Sequence, residues 1–214
     1  MTVLDAPQAY ARWAARYPPR AHNLLMEIEE RAVSALLPDV SGCTALDLGC
    51  GSGRYARLLL ERGAVPVVGV DRSPEMLDRA RLVLGRLVRG DLRALPLRNA
   101  CADVAVCALA LGDFPELGLA LAGFARVLRP GGVLVCSDLH PLGMAAGWTR
   151  SFETAAGETI AVRHYPHELP DLVARFEAEG LEVEGICEPP IEVAHPCRGW
   201  PAVVAVRARK RAER

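Results

Sequence analysis

The sequence predicts an α/β protein, with a doubly wound sheet of mostly parallel strands and helices on both faces. Three observations predict it. Short apolar runs alternate with helical patterns from residue 44 onward, the signature of stacked βα units. The first run ends in Gly49-Cys50-Gly51-Ser52-Gly53, a turn that opens a helix. The run at 103–111 is almost continuously apolar, as a central strand buried on both faces should be.

The elements follow in order. Residues 1–40 read as helices, with Leu24, Ile28, Ala32, Leu36 and Leu37 on one face. Residues 44–48 form the first strand. The helix after the glycine turn, 54–62, turns Leu58 and Leu59 inward and ends at Gly63, a C-cap residue. A second strand, 66–70, precedes Ser73-Pro74-Glu75, where a serine N-cap, a proline and an early acid start the next helix. A short third strand opens at Leu87-Val88 and closes at Asp91. After the fourth strand, Leu117, Leu121, Phe124 and Leu128 mark a helix stopped by Pro130-Gly131-Gly132. The fifth strand is 133–137. Residues 141–166 read as a hairpin, because Phe152/Thr154 and Ile160/Val162 alternate on either side of Ala156-Gly157. Leu169, Leu172, Val173 and Phe176 set a last helix ending at Gly180, and strands at 181–187 and 202–206 complete the sheet.

At 214 residues the chain is one well-buried domain. It divides into an N-terminal helical lid (1–40), a cofactor-binding half (41–141), a cover hairpin with the C-terminal strands (142–207) and a basic, solvated tail (208–214). Lid and hairpin are placed to cover the C-terminal edge of the sheet, where open α/β sheets bind ligands. The 25 basic and 26 acidic side chains nearly cancel, which leaves no field to draw the chain onto nucleic acid or an anionic membrane. No apolar run is long enough to span a bilayer, and Asp5 with no apolar stretch behind it is not secretory-signal chemistry. The seven cysteines are odd in number and never form a CxxC pair, which argues against a disulfide framework or a zinc site and for a reduced, cytoplasmic setting.

The glycines of the first turn permit backbone angles and close ligand approach that a Cβ forbids, and the helix behind them seats a polar head. The dinucleotide fingerprint wants its third glycine where Arg54 stands. Asp71 closes the second strand, where a carboxylate accepts both hydroxyls of a ribose. Asp91 closes the third, suited to an exocyclic amine. Two acids at successive strand ends repel a pyrophosphate, so the pattern favours a cofactor with ribose and adenine but no phosphate: S-adenosylmethionine over NAD or ATP.

At this point the stretches ALDLGCGSGRYARLL, GVDRSPEML, GDLRALPL and LRPGG make the chain similar to the class I S-adenosylmethionine-dependent methyltransferases. It most resembles the small-molecule group related to the quinone-biosynthesis enzymes (methyltransferase type 11-like). The resemblance implies a Rossmann-like, seven-stranded sheet whose strands 1–6 are parallel and strand 7 antiparallel. It also implies roles for matching positions. Asp47, Gly49, Gly51 and Gly53 would hold the methionine portion. Asp71 would take the ribose, and Arg72 and Met76 would line the adenine. Asp91 and the Leu92 backbone would meet its edge, Ala108 and Leu109 would face the methionyl chain, and Tyr17 would close over the cofactor. Ala102-Asp103 stands where the family commonly has Phe-Asp. An Asn/Asp-Pro-Pro-Tyr tetrad is lacking, which counts against methylation of base or glutamine amino groups.

The expected reaction is in-line methyl transfer to a small-molecule acceptor at oxygen, nitrogen, carbon or sulfur; the alternatives are an RNA or protein methyltransferase and a cofactor-binding protein that does not methylate. Such a transfer needs a general base only if the acceptor must lose a proton. His140, after the fifth strand, and His167 are the candidate catalytic residues. His22, Trp148, His164, Tyr165 and Trp200 are candidate acceptor contacts in the cover elements, where most of the aromatics gather. The HxxH spacing of His164 and His167 lacks the further ligands a metal needs, so no metal is expected.

Overall fold

The computed structural model describes residues 1–154 and 156–212. It opens with a short strand, β1 (Thr2–Leu4), then α1 (Ala6–Trp13), which a single 3-10 turn prolongs to Arg16, and α2 (Leu24–Leu36). Asn23 caps α2 by accepting the N–H of Met26 at 2.9 Å. The core then alternates as β2 (Ala45–Leu48), α3 (Arg54–Glu61), β3 (Val67–Asp71), α4 (Pro74–Ala80), β4 (Leu87–Arg89) and β5 (Ala102–Ala108). It continues through α5 (Gly118–Val127), β6 (Leu128–Leu139), α6 (Pro141–Ala145) and the hairpin β7 (Ser151–Glu153) and β8 (Thr159–Val162). It closes with α7 (Leu169–Ala178), β9 (Leu181–Cys187) and β10 (Val203–Lys210). Ser73 caps α4 through the N–H of Met76, as its position before a proline predicts.

The seven-stranded sheet has the order β4-β3-β2-β5-β6-β10-β9. Every pairing among the first five is parallel, and β10 runs antiparallel to both β6 and β9. Strand order therefore reverses between β2 and β5, the switch point where such sheets leave a crevice for ligands. Alternation along the strands fills both faces. Leu46 and Leu48, Cys107, and Leu134 and Cys136 point into one core with Leu117, Leu121 and Phe124 of the α5 side and Phe176 of α7. Ala45, Val104 and Val106, and Val133 and Val135 point into the other, with Ile28 and Val33 of α2 and Leu59 of α3. Phe124 is wholly buried, so its truncation to alanine costs about 3–5 kcal/mol.

Four local expectations are corrected. The fourth strand ends at Ala108, because Leu109 turns the chain with a left-handed φ of 54°. Pro130-Gly131-Gly132 does not separate helix from strand: β6 already begins at Leu128, and these residues form a bulge where Ala102 pairs with Leu128 but Val104 with Val133. The basic C-terminus is not a free tail as far as it is described. Arg207 and Arg209 lie in β10 and pair with Glu184, Lys210 donates to the Leu128 carbonyl, and Arg211 bonds Glu177; the last two residues of that segment lie outside the described ones. Finally, the lid is not helical alone. β1 pairs in parallel with β8, which pairs with β7, so the N-terminus is strapped to the cover hairpin in a second, three-stranded sheet. Trp13 stacks on Phe152 at 4.6 Å between centroids and 8° between planes, fastening α1 to the same hairpin.

Candidate active site

The ends of β2, β3 and β5 open onto one cleft at the C-terminal edge of the sheet. Tyr17, Asp47, Gly49, Gly51, Asp71, Arg72, Met76, Leu92, Ala108 and Leu109 all line it. Gly49 and Gly51 have φ of 74° and 52°, angles that strain any residue with a Cβ. A Cβ on Gly51 would meet nothing within 4 Å, so the turn leaves open space on the ligand side.

Asp71 braces that turn. Its Oδ2 accepts the Gly51 N–H at 2.8 Å and its Oδ1 the Ser73 N–H at 2.9 Å, and each oxygen keeps acceptor capacity for a ligand. Burial raises its pKa, against the pull of those N–H bonds. Asp47 accepts the Ala56 N–H at 2.7 Å, and burial pushes its pKa up to about 7 despite that bond. Beneath the cleft, fully buried Glu29 of α2 accepts from Arg54 at 2.6 Å and from the Tyr55 hydroxyl at 2.8 Å, and also from Ser137 of β6. One carboxylate thus ties the lid helix to α3 and the sheet.

Two predicted cofactor residues stand off the cleft wall. Gly53 faces α4 instead: a Cβ there would lie 3.3 Å from Val83 and 3.6 Å from Ala80, so this glycine serves close helix packing. Asp91 bonds Arg93 through that residue's backbone N–H, Nε and Nη2 at 2.9, 3.0 and 2.7 Å. The Arg93 bonds hold its pKa down at about 2. Its neighbours Gly90 and Leu92 line the cleft in its place.

A second cavity, about 450 Å³, adjoins the first and is walled by α1, α2, the hairpin and the loop before β10. Tyr10, Tyr17 and Leu109 belong to both walls. The strained Leu109 is held by its N–H to the Ser137 carbonyl at 2.9 Å and by Arg150 Nη1 on its own carbonyl at 2.6 Å; left-handed non-glycine residues concentrate at functional positions. Trp148 lines this cavity, seated on Gly143, where a Cβ would come within 2.2 Å of the indole.

The other acceptor candidates lie elsewhere. His22 is exposed and packs edge-on to Tyr17 outside the wall, and Trp200 is 44% exposed. Tyr165 lines a separate polar recess with Asp5, Arg72 and Arg163. His164 is buried against Gly112, and burial lowers its pKa. Both catalytic candidates stand outside the two cavities. His140 is 5% exposed; its Nδ1 accepts the Leu142 N–H at 3.2 Å, so Nε2 carries the proton and donates to Glu188 at 2.8 Å. It caps α6 and lines neither cavity. His167 also lines neither cavity, and its Nε2 donates to the Phe114 carbonyl at 3.0 Å. Among the described residues no group of three or more metal-ligating side chains is assembled, and no helix is long and apolar enough to cross a membrane.

Sequence reasoning missed the pair Arg150–Asp113, which sits where the two cavities meet, and gave Tyr10 no role. Tyr10 was legible: with Trp13 and Tyr17 it falls at i, i+3 and i+7, one helix face. Arg150 carries no local signal, because only the folded hairpin brings it to Asp113.

A family profile described as a methyltransferase domain matches residues 46–136. The malonyl-[acyl-carrier protein] O-methyltransferase of Pectobacterium atrosepticum is 32% identical over 183 residues, 84% of this chain and 71% of that protein. The chain belongs to the class I S-adenosylmethionine-dependent methyltransferases. The enzyme of the same name from Serratia marcescens is 34% identical over 76% of this chain and 61% of its own length, and for two further relatives of that name the match spans about half of their length. These relatives are named for a carrier-bound acyl group, not a quinone. Among solved structures, an S-adenosylmethionine-dependent methyltransferase from Mesorhizobium loti superposes with a TM-score of 0.71 at 27% identity, over 85% of this methyltransferase and 97% of that chain. The cleft suits the cofactor. Gly51 leaves room at the turn, and acids Asp47, Asp71 and Asp113 on the wall favour its cationic sulfonium and ammonium groups over a pyrophosphate.

Proposed function

We propose that this methyltransferase holds S-adenosylmethionine with its ribose on Asp71, its adenine between Arg72, Met76 and the Leu92 segment, and its methionine portion at Asp47, Gly49 and Gly51. The acceptor is a small molecule in the adjoining cavity. One observation carries this reading: Tyr10, Tyr17 and Leu109 wall both spaces, so a group bound in one cavity meets a group bound in the other at these residues. The bound cofactor supplies an electrophilic methyl group on sulfur. The chain's part is to position and exclude water: Tyr17 covers the junction, Leu109 shapes it, and the Glu29–Arg54 pair fixes its floor. Asp91 is left to Arg93. The relatives' acceptor, a malonyl group on a carrier protein, supports an oxygen acceptor of modest size. A cytoplasmic setting fits the seven free thiols.

Incubation with methyl-labelled cofactor and an extract of the source cells tests the reading. Label is expected in small molecules, free or released from protein by thioester cleavage; label confined to RNA or to protein that thioester cleavage does not release would overturn it.

A further inference from the structure

Three acids line the cofactor cleft. Asp71 and Asp47 belong to the proposed ribose and methionine contacts; Asp113, in the turn after β5, has no part in them. Its side chain is 15% exposed and sits where the cleft meets the acceptor cavity. Arg150 Nη2 donates to its Oδ1. The other oxygen, Oδ2, accepts no hydrogen bond from the described residues and is not sealed off from the cleft. On its far side Asp113 also lines the polar recess of Asp5, Arg72, Arg163 and Tyr165. The first three of these are exposed, so the recess connects Asp113 with the surface. A carboxylate with one oxygen clamped and the other free, between a reaction site and water, has the geometry of a proton acceptor.

The charges around it tune the same group. Burial pushes the Asp113 pKa up, Arg150 at the start of the hairpin pulls it back, Asp138 of β6 and Asp71 of β3 push it up, and the result is about 6. Tyr10 and Tyr17 face it from the lid and are kept protonated by burial. At neutral pH the carboxylate is ionised and still close enough in pKa to take a proton. The acceptor cavity holds no rival base among its described residues. Its histidine, His195, accepts the Cys197 N–H on Nδ1 at 3.1 Å, which leaves the proton on the other nitrogen. Nor does that wall hold a free charge. Arg150 alone is ionic there, with Nη1 on the Leu109 carbonyl, Nη2 on Asp113 and Nε shut off from the cavity. The rest is aromatic, aliphatic or neutral polar, a wall for an uncharged acceptor.

Resting on the cofactor and acceptor placement above, we propose that Asp113 is a catalytic residue, the general base of the transfer, and that the acceptor is a hydroxyl group on an uncharged, apolar body. The acceptor oxygen forms a bond to the methyl carbon as the carbon–sulfur bond breaks. The electron pair of that bond stays on sulfur, which becomes neutral. The hydroxyl proton passes to Asp113 Oδ2 and leaves through the recess to water, and the product is a methyl ether. Arg150 holds Oδ1 throughout, so the free oxygen keeps its aim.

Two measurements test this. Carbon-13 NMR of aspartate-labelled protein, with Asp113→Asn to identify its signal, reads the group itself. A midpoint near pH 6 is expected, and one in the ordinary carboxylate range at about 4 would overturn the assignment. Initial rates of label transfer from methyl-labelled S-adenosylmethionine to the source-cell extract read the reaction. The wild-type rate should rise up to about pH 6 and level off above it. In Asp113→Asn the rate at about pH 8 should fall at least about 100-fold and climb about tenfold per pH unit, because hydroxide must then take the proton. S-adenosylhomocysteine should bind that variant within about threefold of wild type, and Asp113→Glu should recover part of the rate. An Asp113→Asn rate equal to wild type, or lower but parallel to it across pH, would overturn the assignment while the cofactor reading stands. If Asp113→Asn does not fold, the wild-type profile decides alone, and a rate that is flat between about pH 5 and pH 8 would overturn it. No transfer by the wild type at any pH would instead overturn the acceptor placement beneath it.

Discussion

Replacing Asp71 with alanine removes the carboxylate at the end of β3 and with it two kinds of bond. Inside the protein, the N–H groups of Gly51 and Ser73, now at 2.8 and 2.9 Å from its oxygens, lose their acceptor and the glycine turn loses its brace. At the ligand, two ribose hydroxyls lose theirs. A hydrogen bond to a charged group contributes about 1.5–3 kcal/mol net, so the two ribose bonds together carry about 3 kcal/mol or more. That converts to a Kd for S-adenosylhomocysteine at least about 100-fold weaker, at about 1.4 kcal/mol per tenfold. Asp71→Asn keeps the size and one acceptor oxygen, and should lose about tenfold by the same scale. Isothermal titration of the wild type and both variants measures this, with thermal melting run beside it to separate loss of the brace from loss of the ligand contact. Affinity within about twofold of wild type in a folded Asp71→Ala variant would refute the ribose assignment, since it leaves less than 1 kcal/mol for both bonds.

Three further outcomes follow from the geometry. Glu29→Ala leaves Arg54, 8% exposed at its side chain, with only the longer contacts to Glu30 at 3.4 Å and the Met26 carbonyl at 3.5 Å; the cost is about 3 kcal/mol, the low end for a broken buried pair, read as a melting temperature lower by roughly 10 °C, and a change of about 1 °C would contradict it. Asp47 has a folded pKa of about 7, raised mainly by burial, so between the ordinary carboxylate range and that value the folded chain binds one proton more than the unfolded chain, and stability falls as pH rises through that window. The wild-type stability advantage over Asp47→Asn, from denaturant midpoints, should therefore shrink between about pH 4 and pH 7 and then level off; a difference that grows with pH would contradict the burial account. His140→Gln removes a cap and a bond to Glu188, for about 1 kcal/mol of stability, and leaves turnover at the wild-type level, whereas a rate loss of about two orders of magnitude with unchanged melting would restore His140 as a base.

Which features were legible in the sequence has a physical pattern. The sheet was legible because its strands are buried on both faces, so 44–48, 66–70 and 103–108 are mostly apolar, broken only by Thr44, Asp47 and Asp103, and because the capping chemistry at Ser73-Pro74 and Gly63 is local. The cleft was legible for the same reason: Asp47, the glycines and Asp71 sit at strand ends whose order is fixed by the chain. β1 was not legible, since three residues find their partner in β8 more than 150 positions away. The bulge at Pro130-Gly131-Gly132 was misread because the same residues that stop helices also make strand irregularities. His140 and Trp200 stand in loops beside the site, and sequence alone does not say which way a loop side chain turns. The structure buries the first and exposes the second. Arg150 and Asp113 are 37 positions apart, and only the folded hairpin makes them a pair.

The central claim is that cofactor and acceptor meet at Tyr10, Tyr17 and Leu109. A crystal structure of the complex with S-adenosylhomocysteine tests it most directly. The account predicts ribose hydroxyls within about 2.6–3.2 Å of the Asp71 carboxylate, with the sulfur facing the Tyr17–Leu109 junction and the cavity that holds Arg150. Ribose bound away from Asp71, or a sulfur turned from that junction toward solvent, would contradict it.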